Sequence, residues 1–516
     1  MIIVDKVGYK MLFGSLLKNK NKKALYFGSP EAEGESLPTS RVFLSDVYED
    51  HHDLFNELSH EKFIVVGRKG AGKSAFAEYT YWLAQHEANI FCSFIRQDVV
   101  RLEELVQIND GLSGSNKEHL FKWLIYTNIL RLIFKNEATN NAKEFNLLKE
   151  FIKKNSGFIE INKGEIIELA KKHNFEVNIE QFKRFFTTKL GKEIQIKESR
   201  AAYYKLLPHL ETVIISVLQS KIELENKNSY VIFFDDLDIN FNSDDESSVD
   251  TLLNLLRTTK HINNNVFSKN NINAKAIILI RDDVERMLSS RGADIAKIFS
   301  SYATRLDWYQ EEQNNEDETG LKKLVERRSR YAFEKACITV KGKSAWDNLF
   351  IKSDFSPKTS FKYISDHTFL RPRDFILLLK PLEGGQYEIP LNRYNTNSLI
   401  GIFSAELAKE LSNELSSFYT ENQITHIFES LKKINSLYDC TYNQAYEILS
   451  KDSEIDARFV LSDLFDRSII GNINPQNNFV KFKHRISNRD INNYKLDENE
   501  YIIVHTGIKI FIEKRY

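Results

Sequence analysis

Two short stretches of this chain place residue types that handle phosphate and metal ions directly after apolar segments. In the first, residues 67–74 read Gly-Arg-Lys-Gly-Ala-Gly-Lys-Ser and follow the apolar run 63–66. Glycines allow backbone conformations that bring N–H groups close to phosphate oxygens, and a helix that opens at Lys73 would point its positive end at the same anion. We therefore expect Lys73 to reach the β- and γ-phosphates of a nucleotide and Ser74 to bind Mg²⁺.

The spacing of these residues fits GxxxxGK[ST], the P-loop pattern. The residues predicted to contact the nucleotide are Gly67, Arg68, Lys69, Gly70, Ala71, Gly72, Lys73 and Ser74. The alternative is an ordinary glycine-rich turn between a strand and a helix. The apolar segment before the loop and the helical pattern after it favour the nucleotide.

The second stretch, residues 231–236, is four apolar residues followed by Asp235 and Asp236. This is the Walker B form, in which a buried strand carries an aspartate to the metal beside a P-loop. Asp235 is predicted to hold Mg²⁺ through water, and Asp236 to orient or deprotonate the attacking water. The alternative is a solvated acidic loop, because further acids follow at Asp238, Asp244 and Asp245.

The elements that would position these residues alternate between strand and helix. Apolar strand candidates are KFIVVG, NIFCSFI, SYVIFFDDLD, AKAIILIRDDV and SYATRLDWYQ, and helical apolar spacing separates them. Such alternation predicts an α/β fold with a parallel sheet covered by helices on both faces. Two further strand-like pieces, FVKFKHR and YIIVHTGIKIFI, lie near the C-terminus.

We predict five parts along the chain. An N-terminal segment (1–55) packs on an ATPase core (56–98 and 227–309), a helical insertion (99–226) interrupts that core, and a helical lid (310–386) and a winged-helix-like domain (387–516) follow. The formal net charge of −1 over 516 residues gives the whole chain no bias toward nucleic acid. Three scattered cysteines, no signal peptide and no apolar run of membrane-spanning length predict a cytoplasmic protein.

The second acid and the extra strand between the two motifs resemble the additional-strand ATPases, and the rest resembles their AAA+, STAND and KAP members. By that resemblance, Arg281 at the end of AIILIR takes the sensor-1 position, and Arg373 after Pro372 takes the sensor-2 position in the lid. Both arginines would then contact the γ-phosphate. The alternative for each is a surface salt bridge. Arg286, Arg291 and Arg305 lie in the window for an arginine finger, but the sequence assigns that role to none of them.

A closer resemblance, over residues 27–385, is to a bacterial family of P-loop ATPases near the KAP and STAND proteins. It rests on GSPEAEGE, GRKGAGKSA, FFDDLD, IRDDV, RLDW and RPRD in that order. It implies a relative without membrane helices that binds ATP and Mg²⁺. It also implies a role in bacterial conflict or anti-phage defence, with a partner protein as effector or sensor.

Residues 456–485 resemble a winged helix. A basic wing that contacts DNA phosphates is one interpretation, and a protein-interaction module is the other. The residues of the predicted wing are Lys481, Lys483, His484, Arg485 and Arg489. The sequence predicts an ATP-hydrolysing molecular switch, with a DNA-dependent motor or loader and a non-hydrolysing ATP-bound scaffold as alternatives, and it leaves a homo-oligomer open.

Overall fold

The computed structural model describes residues 23–96, 115–137, 145–155, 176–237, 241, 245–309, 316–451, 454–486 and 494–515. The described strands are β1 (Ile64–Gly67), β2 (Ile90–Arg96), β3 (Glu176–Asn178), β4 (Arg200–Ala202), β5 (Ser229–Asp235), β6 (Ala274–Arg281), β7 (Ala303–Arg305), β8 (Ile470–Ile473), β9 (Val480–Lys481) and β10 (Tyr501–Val504). Arg489, which was predicted to belong to a basic wing, lies outside the described residues.

The described α-helices lie in the connections between these strands and make up most of the C-terminal half. They are Ala32–Ser36, Leu44–Val47, Leu54–Ser59, Lys73–His86, Ser115–Lys135, Phe145–Lys154, Glu180–Leu190, Tyr203–Leu218, Lys221–Asn226, Glu246–His261, Asp282–Ser290, Ala293–Tyr302, Gly320–Lys335, Ala345–Asn348, Ser360–Ser365, Pro372–Leu379, Arg393–Leu415, Glu421–Ser436, Tyr442–Leu449, Ala457–Asp466 and Thr506–Arg515. A π-helical stretch, Ile262–Phe267, continues the helix before β6.

The centre of the N-terminal half is a five-stranded sheet in the order β2-β5-β6-β1-β7, and every pairing is parallel. β1 is buried throughout and β5 and β6 nearly so, as expected for strands covered by helices on both faces. The predicted parallel sheet with helices on both faces is therefore confirmed. In this sheet β5 pairs with β6, and β6 pairs with β1, so the carboxyl ends of all three strands meet at one edge.

The chain between β2 and β5 packs on the sheet and shares its hydrophobic core. The helices Ser115–Lys135 and Tyr203–Leu218 supply much of this packing, and Trp123 is fully buried. Within this stretch β3 and β4 form a short antiparallel pair that we did not predict. Each is three residues long, too short for a clear period-two pattern.

The C-terminal half is mainly helical, and residues from Leu321 to Ile512, together with Leu25 and Phe27, form a separate hydrophobic core. It carries a small antiparallel sheet in the order β10-β8-β9. The prediction of a strand through YIIVHTGIKIFI is only half right, because β10 ends at Val504 and a helix follows. Ile508 and Ile512, four residues apart, are both fully buried, which is the spacing of one face of a helix. A short apolar run does not by itself distinguish a helix from a strand.

Candidate functional site

The glycine-rich loop, residues 67–74, connects the end of β1 to the helix Lys73–His86. Gly70 and Gly72 have φ angles of 79° and 106°, which side chains disfavour. A Cβ atom built on Gly72 would meet nothing within 4 Å. The loop therefore turns with backbone that only glycine adopts easily, and it leaves open space beside the first turn of the helix.

The side chain of Lys73 lies over this loop. Its Nζ atom donates to the backbone oxygens of Gly67 at 2.7 Å and Arg68 at 3.2 Å. The positive charge is thus held at the rim of the loop, within one side chain's length of the open space beside Gly72.

Asp235, the last residue of β5, lies beside the glycine-rich loop although it is distant from it in sequence. The hydroxyl of Ser74 donates to its Oδ1 atom at 3.2 Å, although the two residues are 161 positions apart. Asp235 is only 2% exposed, whereas Asp236 is half-buried and has a φ angle of 59°. The backbone turn after β5 therefore separates the two acids: one lies in the core beside Ser74, and the other is partly open to solvent.

Arg96, at the end of β2, was not predicted to belong to the site. The register of the sheet pairs it with Asp235, and its Nη2 atom lies 3.4 Å from Oδ2 of that residue. The same guanidinium contacts Glu78 of the loop helix and, at 3.1 Å, Glu33 of the N-terminal segment. Burial opposes its charge, but the hydrogen bond and charge of Glu78 raise the pKa of Arg96. A charged residue directly after the second predicted strand was the available signal.

Arg281 ends β6 opposite Gly67, as the parallel register requires. Its guanidinium forms a two-point contact with Asp283, with Nε at 3.0 Å from Oδ1. Asp283 also accepts from Arg467 of the C-terminal half at 3.0 Å. Although burial works against the carboxylate, the two arginines hold the pKa of Asp283 below its usual value. Arg281 thus lies in a buried ion network.

Arg373, the other arginine taken from the family resemblance, lies against the tip of the loop. Its backbone N–H donates to the oxygen of Gly70 at 3.4 Å, and its Nε donates to the oxygen of Pro30 at 2.9 Å. Glu410 lies 3.5 Å from its Nη1 atom. A Cβ atom on Gly70 would lie 2.8 Å from Cβ of Arg373, so this contact depends on the glycine.

Arg371, two residues earlier, is the more buried of the pair and was missed by the sequence reasoning. It is 2% exposed, donates to the oxygen of Lys69 at 2.9 Å and is paired with Asp374 at 2.7 Å. Glu410 and Glu414 lie within 3.5 Å of its guanidinium. The RPRD sequence contains both arginines, but only the fold shows which one is enclosed by carboxylates.

The side chain of Arg68 leaves the loop toward the C-terminal half. Its Nη2 atom donates to the backbone oxygen of Arg467, and its guanidinium lies 4.7 Å from the ring centre of Phe369. Trp308, just beyond β7, also supports the loop by donating to the oxygen of Ala71 at 2.8 Å. The loop is therefore held by the sheet, the predicted lid and the C-terminal half together.

The chain segment that touches the loop tip also matches a described domain family. Residues 319–383 match the FunZ-associated C-terminal helical domain. No curated protein matches the chain. The matched stretch contains Phe369, Arg371 and Arg373, so these three of the residues that contact the glycine-rich loop lie within the part similar to that domain.

The three arginines considered for an arginine finger each have a carboxylate partner within this chain. Arg286 pairs with Asp282 at 2.9 Å and Arg305 with Glu285 at 2.8 Å. Arg291 pairs with Glu246 at 2.9 Å.

The predicted basic wing does not form an exposed positive patch in the part of the chain that the structure describes. Lys483 and His484 are buried, and Lys483 pairs with Asp466 at 3.2 Å. Lys481 pairs with Glu500 at 2.9 Å and Arg485 with Asp366 at 3.2 Å. Three of these four side chains are therefore paired with carboxylates and the fourth, His484, is buried, which favours the protein-interaction interpretation of this segment over the DNA-binding one.

Ser74 and Asp235 suit Mg²⁺, since both offer oxygen and this ion keeps most of its water shell. Among the described residues, no three or more His, Cys, Asp or Glu side chains form a metal-binding group. A site for one magnesium ion with few protein ligands matches this donor set.

Of the described helices, none has both the length and the apolar character needed to cross a bilayer.

Proposed function

We propose that this chain is a Mg²⁺-dependent ATP-binding and ATP-hydrolysing molecular switch. The observation that carries the proposal is the 3.2 Å contact between the hydroxyl of Ser74 and Oδ1 of Asp235. It joins the last residue of a GxxxxGK[ST] loop to the acid that ends a buried strand. The sheet order, with β6 between β1 and β5, supports the additional-strand type of ATPase.

In this proposal the residues around the loop have different roles. Backbone N–H groups of residues 67–74 bind phosphate oxygens, and Lys73 turns from the backbone oxygens it now contacts toward the β- and γ-phosphates. Ser74 and Asp235 hold Mg²⁺, and Asp236 orients or deprotonates the attacking water. ATP, when bound, supplies the phosphoanhydride bond whose cleavage changes the state of the switch.

The contacts between the predicted lid and the loop support a switch. Arg371 holds the oxygen of Lys69, and Arg373 lies on Gly70, so a change in loop geometry acts directly on the helix Pro372–Leu379. Arg281 would have to exchange Asp283 for the γ-phosphate, and that exchange would weaken the Asp283 contact network. The phosphate state is thereby coupled to the lid and to the C-terminal half.

The adenine base, the defence role and the partner protein come from the sequence resemblance. The match of residues 319–383 to a domain described as FunZ-associated supports association with a second component. The ion-paired residues of the predicted wing give no support to a DNA-dependent motor. The ATP hydrolysis experiment therefore includes double-stranded DNA as one condition.

The test is steady-state ATP hydrolysis by the purified chain, with and without Mg²⁺ and double-stranded DNA. We expect Mg²⁺-dependent turnover in the wild type. Lys73→Ala should lose ATP binding, because charge-assisted phosphate contacts are worth about 1.5–3 kcal/mol each. Asp236→Asn should keep ATP bound and hydrolyse it at least about tenfold more slowly, since a positioned base contributes about 10²–10⁴-fold.

The other outcomes separate the alternatives. Strong stimulation by DNA would indicate a DNA-dependent ATPase, and ATP that stays bound and intact on the wild type would indicate a scaffold. Undiminished turnover by Asp236→Asn would remove the role given to that residue. A wild-type chain that binds no nucleoside triphosphate would overturn the proposal.

A further inference from the structure

Arg96 connects the predicted phosphate site to the N-terminal segment. It ends β2, where the parallel register pairs it with Asp235, and the carboxylate of Asp235 in turn accepts from the hydroxyl of Ser74. The Nη2 atom of Arg96 lies 3.4 Å from Oδ2 of Asp235 and also contacts Glu78, while Nη1 lies 3.1 Å from Oε1 of Glu33. The two ends of one guanidinium therefore have different partners.

The two ends also differ in how firmly they are held. The partners of Nη2 are buried, with side-chain exposures of 2% for Asp235 and 8% for Glu78, whereas the side chain of Glu33 is 50% exposed. Water screens an ion pair that has an exposed partner, so the contact with Glu33 is the weaker one. Breaking it leaves no buried carboxylate uncompensated, because Nη2 keeps its contacts with Asp235 and Glu78.

The two arginines taken from the family resemblance pair with less exposed acids. Arg281 contacts Asp283 at two points, and the side chain of Asp283 is 7% exposed. Arg373 pairs with Glu410, whose side chain is 18% exposed. Of the three arginines, Arg96 has the partner that solvent reaches most easily, so it can exchange that partner for a phosphate at the smallest cost.

Glu33 belongs to a segment, residues 27–36, that also contacts the predicted lid. The buried carboxylate of Glu35 pairs with Arg328 of the lid through both oxygens, at 2.7 Å and 2.9 Å. Arg328 is itself buried. The segment is thus fixed to the lid by a buried ion pair and joined to Arg96 at the end of β2 by an exposed one.

The carboxylate of Glu33 lies among other negative charges. Burial raises the pKa of Glu33, the charge of Arg96 lowers it, and the charge of Asp236 raises it. If Nη1 of Arg96 turned to a phosphate, Glu33 would face Asp236 and that phosphate without its cation. Like charges at short range repel one another, so the segment would then move away from the site.

We propose that Arg96 is a further phosphate-contacting residue, which exchanges Glu33 for the γ-phosphate of ATP and thereby loosens residues 27–36 from the end of β2. This inference rests on the proposed ATP switch and deepens it. Nη2 stays on Asp235 and Glu78, while Nη1 contacts the triphosphate. A diphosphate lacks the group that Nη1 would contact, so the pair with Glu33 persists. Arg96 thereby distinguishes ATP from ADP, and the position of the N-terminal segment follows the nucleotide.

The first test compares the affinities of the full chain for a non-hydrolysable ATP analogue and for ADP, both with Mg²⁺, by calorimetric titration. Glu33→Gln removes the competing charge and should bind the analogue about two- to fivefold more tightly, the effect of one exposed ion pair, with ADP affinity unchanged. Glu31→Gln is the matched control, because it removes an exposed acid of the same segment and leaves Glu33, Glu78 and Asp235 on Arg96.

Arg96→Lys tests the arginine itself. A lysine keeps the positive charge beside Glu78 and Asp235, which protects the fold, but it lacks the planar fork that contacts these acids and a phosphate together. The analogue should bind at least about tenfold more weakly, the lower end of what a charge-assisted hydrogen bond contributes, while ADP affinity stays within about twofold. Retained ADP binding also shows that the variant is folded.

Hydrogen exchange of the backbone amides in residues 27–36 gives a second readout that does not depend on hydrolysis. In the wild type, the ATP analogue should speed the exchange of this segment relative to ADP. Glu33→Gln should exchange faster than the wild type even without nucleotide, because its ion pair with Arg96 is already lost. Glu31→Gln should exchange as the wild type does.

Two results would overturn the inference. An unchanged ratio of analogue affinity to ADP affinity in Arg96→Lys would show that Arg96 does not contact the γ-phosphate. Equal exchange of residues 27–36 with the analogue and with ADP would show that Glu33 stays paired. Either result in a wild type that binds and hydrolyses ATP removes this inference alone, whereas a wild type that binds no nucleotide removes the proposed switch as well.

Discussion

At the scale of single residues, the charges around Asp235 are held by close partners rather than by solvent. Asp235 is 2% and Glu78 6% exposed, and both contact Arg96. Burial raises the pKa of Glu33, the third acid that Arg96 contacts, and Arg96 lowers it. One arginine therefore stabilises a group of acids that would otherwise repel one another beside the predicted metal site.

Removing that arginine should destabilise the chain. Arg96→Met leaves Glu78 buried without its charged partner, and we expect the free energy of unfolding to fall by about 3–5 kcal/mol, as for other broken buried pairs. The double variant Arg96→Met/Glu78→Met removes both charges and should recover a large part of the loss. Urea unfolding followed by circular dichroism measures both. Equal stability of the two variants would contradict this explanation.

The carboxylate of Asp307 should make stability depend on pH. Burial raises its pKa from 3.8 to about 6. Between those values the folded chain keeps a proton that the unfolded chain has lost, so this group's contribution to stability falls as pH rises from about 4 to about 6. Asp307→Asn should therefore gain stability relative to the wild type, by about 1–2 kcal/mol, between about pH 4 and pH 7.

The measurement compares urea midpoints of the wild type and Asp307→Asn at about pH 4.5 and pH 7.5. Asp439→Asn is the control, because Asp439 is exposed and its φ angle of 52° suits asparagine. If the difference in urea midpoint between the wild type and Asp307→Asn does not change with pH, Asp307 keeps its ordinary pKa.

At the scale of elements, the segment RPRD shows how one turn of helix serves two functions. Pro372 opens the helix Pro372–Leu379, where its missing N–H costs nothing. Arg371 before it is enclosed by Asp374 and two glutamates, whereas Arg373 after it lies at the loop surface with 19% of its side chain exposed. The first arginine holds the helix against the loop through the oxygen of Lys69, and in the proposed function the second would respond to a nucleotide bound by the loop.

The two arginines should therefore differ when each is replaced by methionine. Arg371→Met leaves buried carboxylates unpaired and should cost about 3–5 kcal/mol of unfolding free energy. Arg373→Met should cost at most about 1 kcal/mol, as for a partly exposed pair, while weakening ATP binding. Chemical unfolding and nucleotide titration separate the two effects. The opposite order of destabilisation would contradict the assignment.

At the scale of the whole molecule, buried polar contacts connect the N-terminal half to the C-terminal half. The sheet has a hydrophobic cluster on each face, and a third cluster contains Leu25, Phe27 and residues from Leu321 to Ile512. Asp283 and Arg467 connect the two halves at 3.0 Å, and the backbone oxygen of Arg467 accepts from Arg68. A chain with several hydrophobic clusters need not unfold in a single step, so we expect these contacts to affect how cooperatively the two halves unfold.

Arg467→Met should separate the unfolding of the two halves. It removes the contact with Asp283, and we expect two resolved transitions, or a much broader one, in scanning calorimetry. Arg485→Met is the control, because its ion pair with Asp366 lies within the C-terminal half. A single sharp transition in Arg467→Met, shifted no more than in the control, would show that the halves do not depend on this contact.

The sequence by itself determined that five strands form the central sheet, and it located the glycine-rich loop and the acids at the end of β5. Continuous apolar runs and glycines that adopt positive φ are local properties, legible without knowing what the chain packs against. Only the tertiary structure decided which groups the charged side chains contact. Arg96 meets Asp235 through strand register, Arg371 reaches Lys69 across 302 positions, and Asp283 meets Arg467 across 184. A charged side chain pairs with whichever opposite charge the fold brings near, so arginines alike in sequence take different roles.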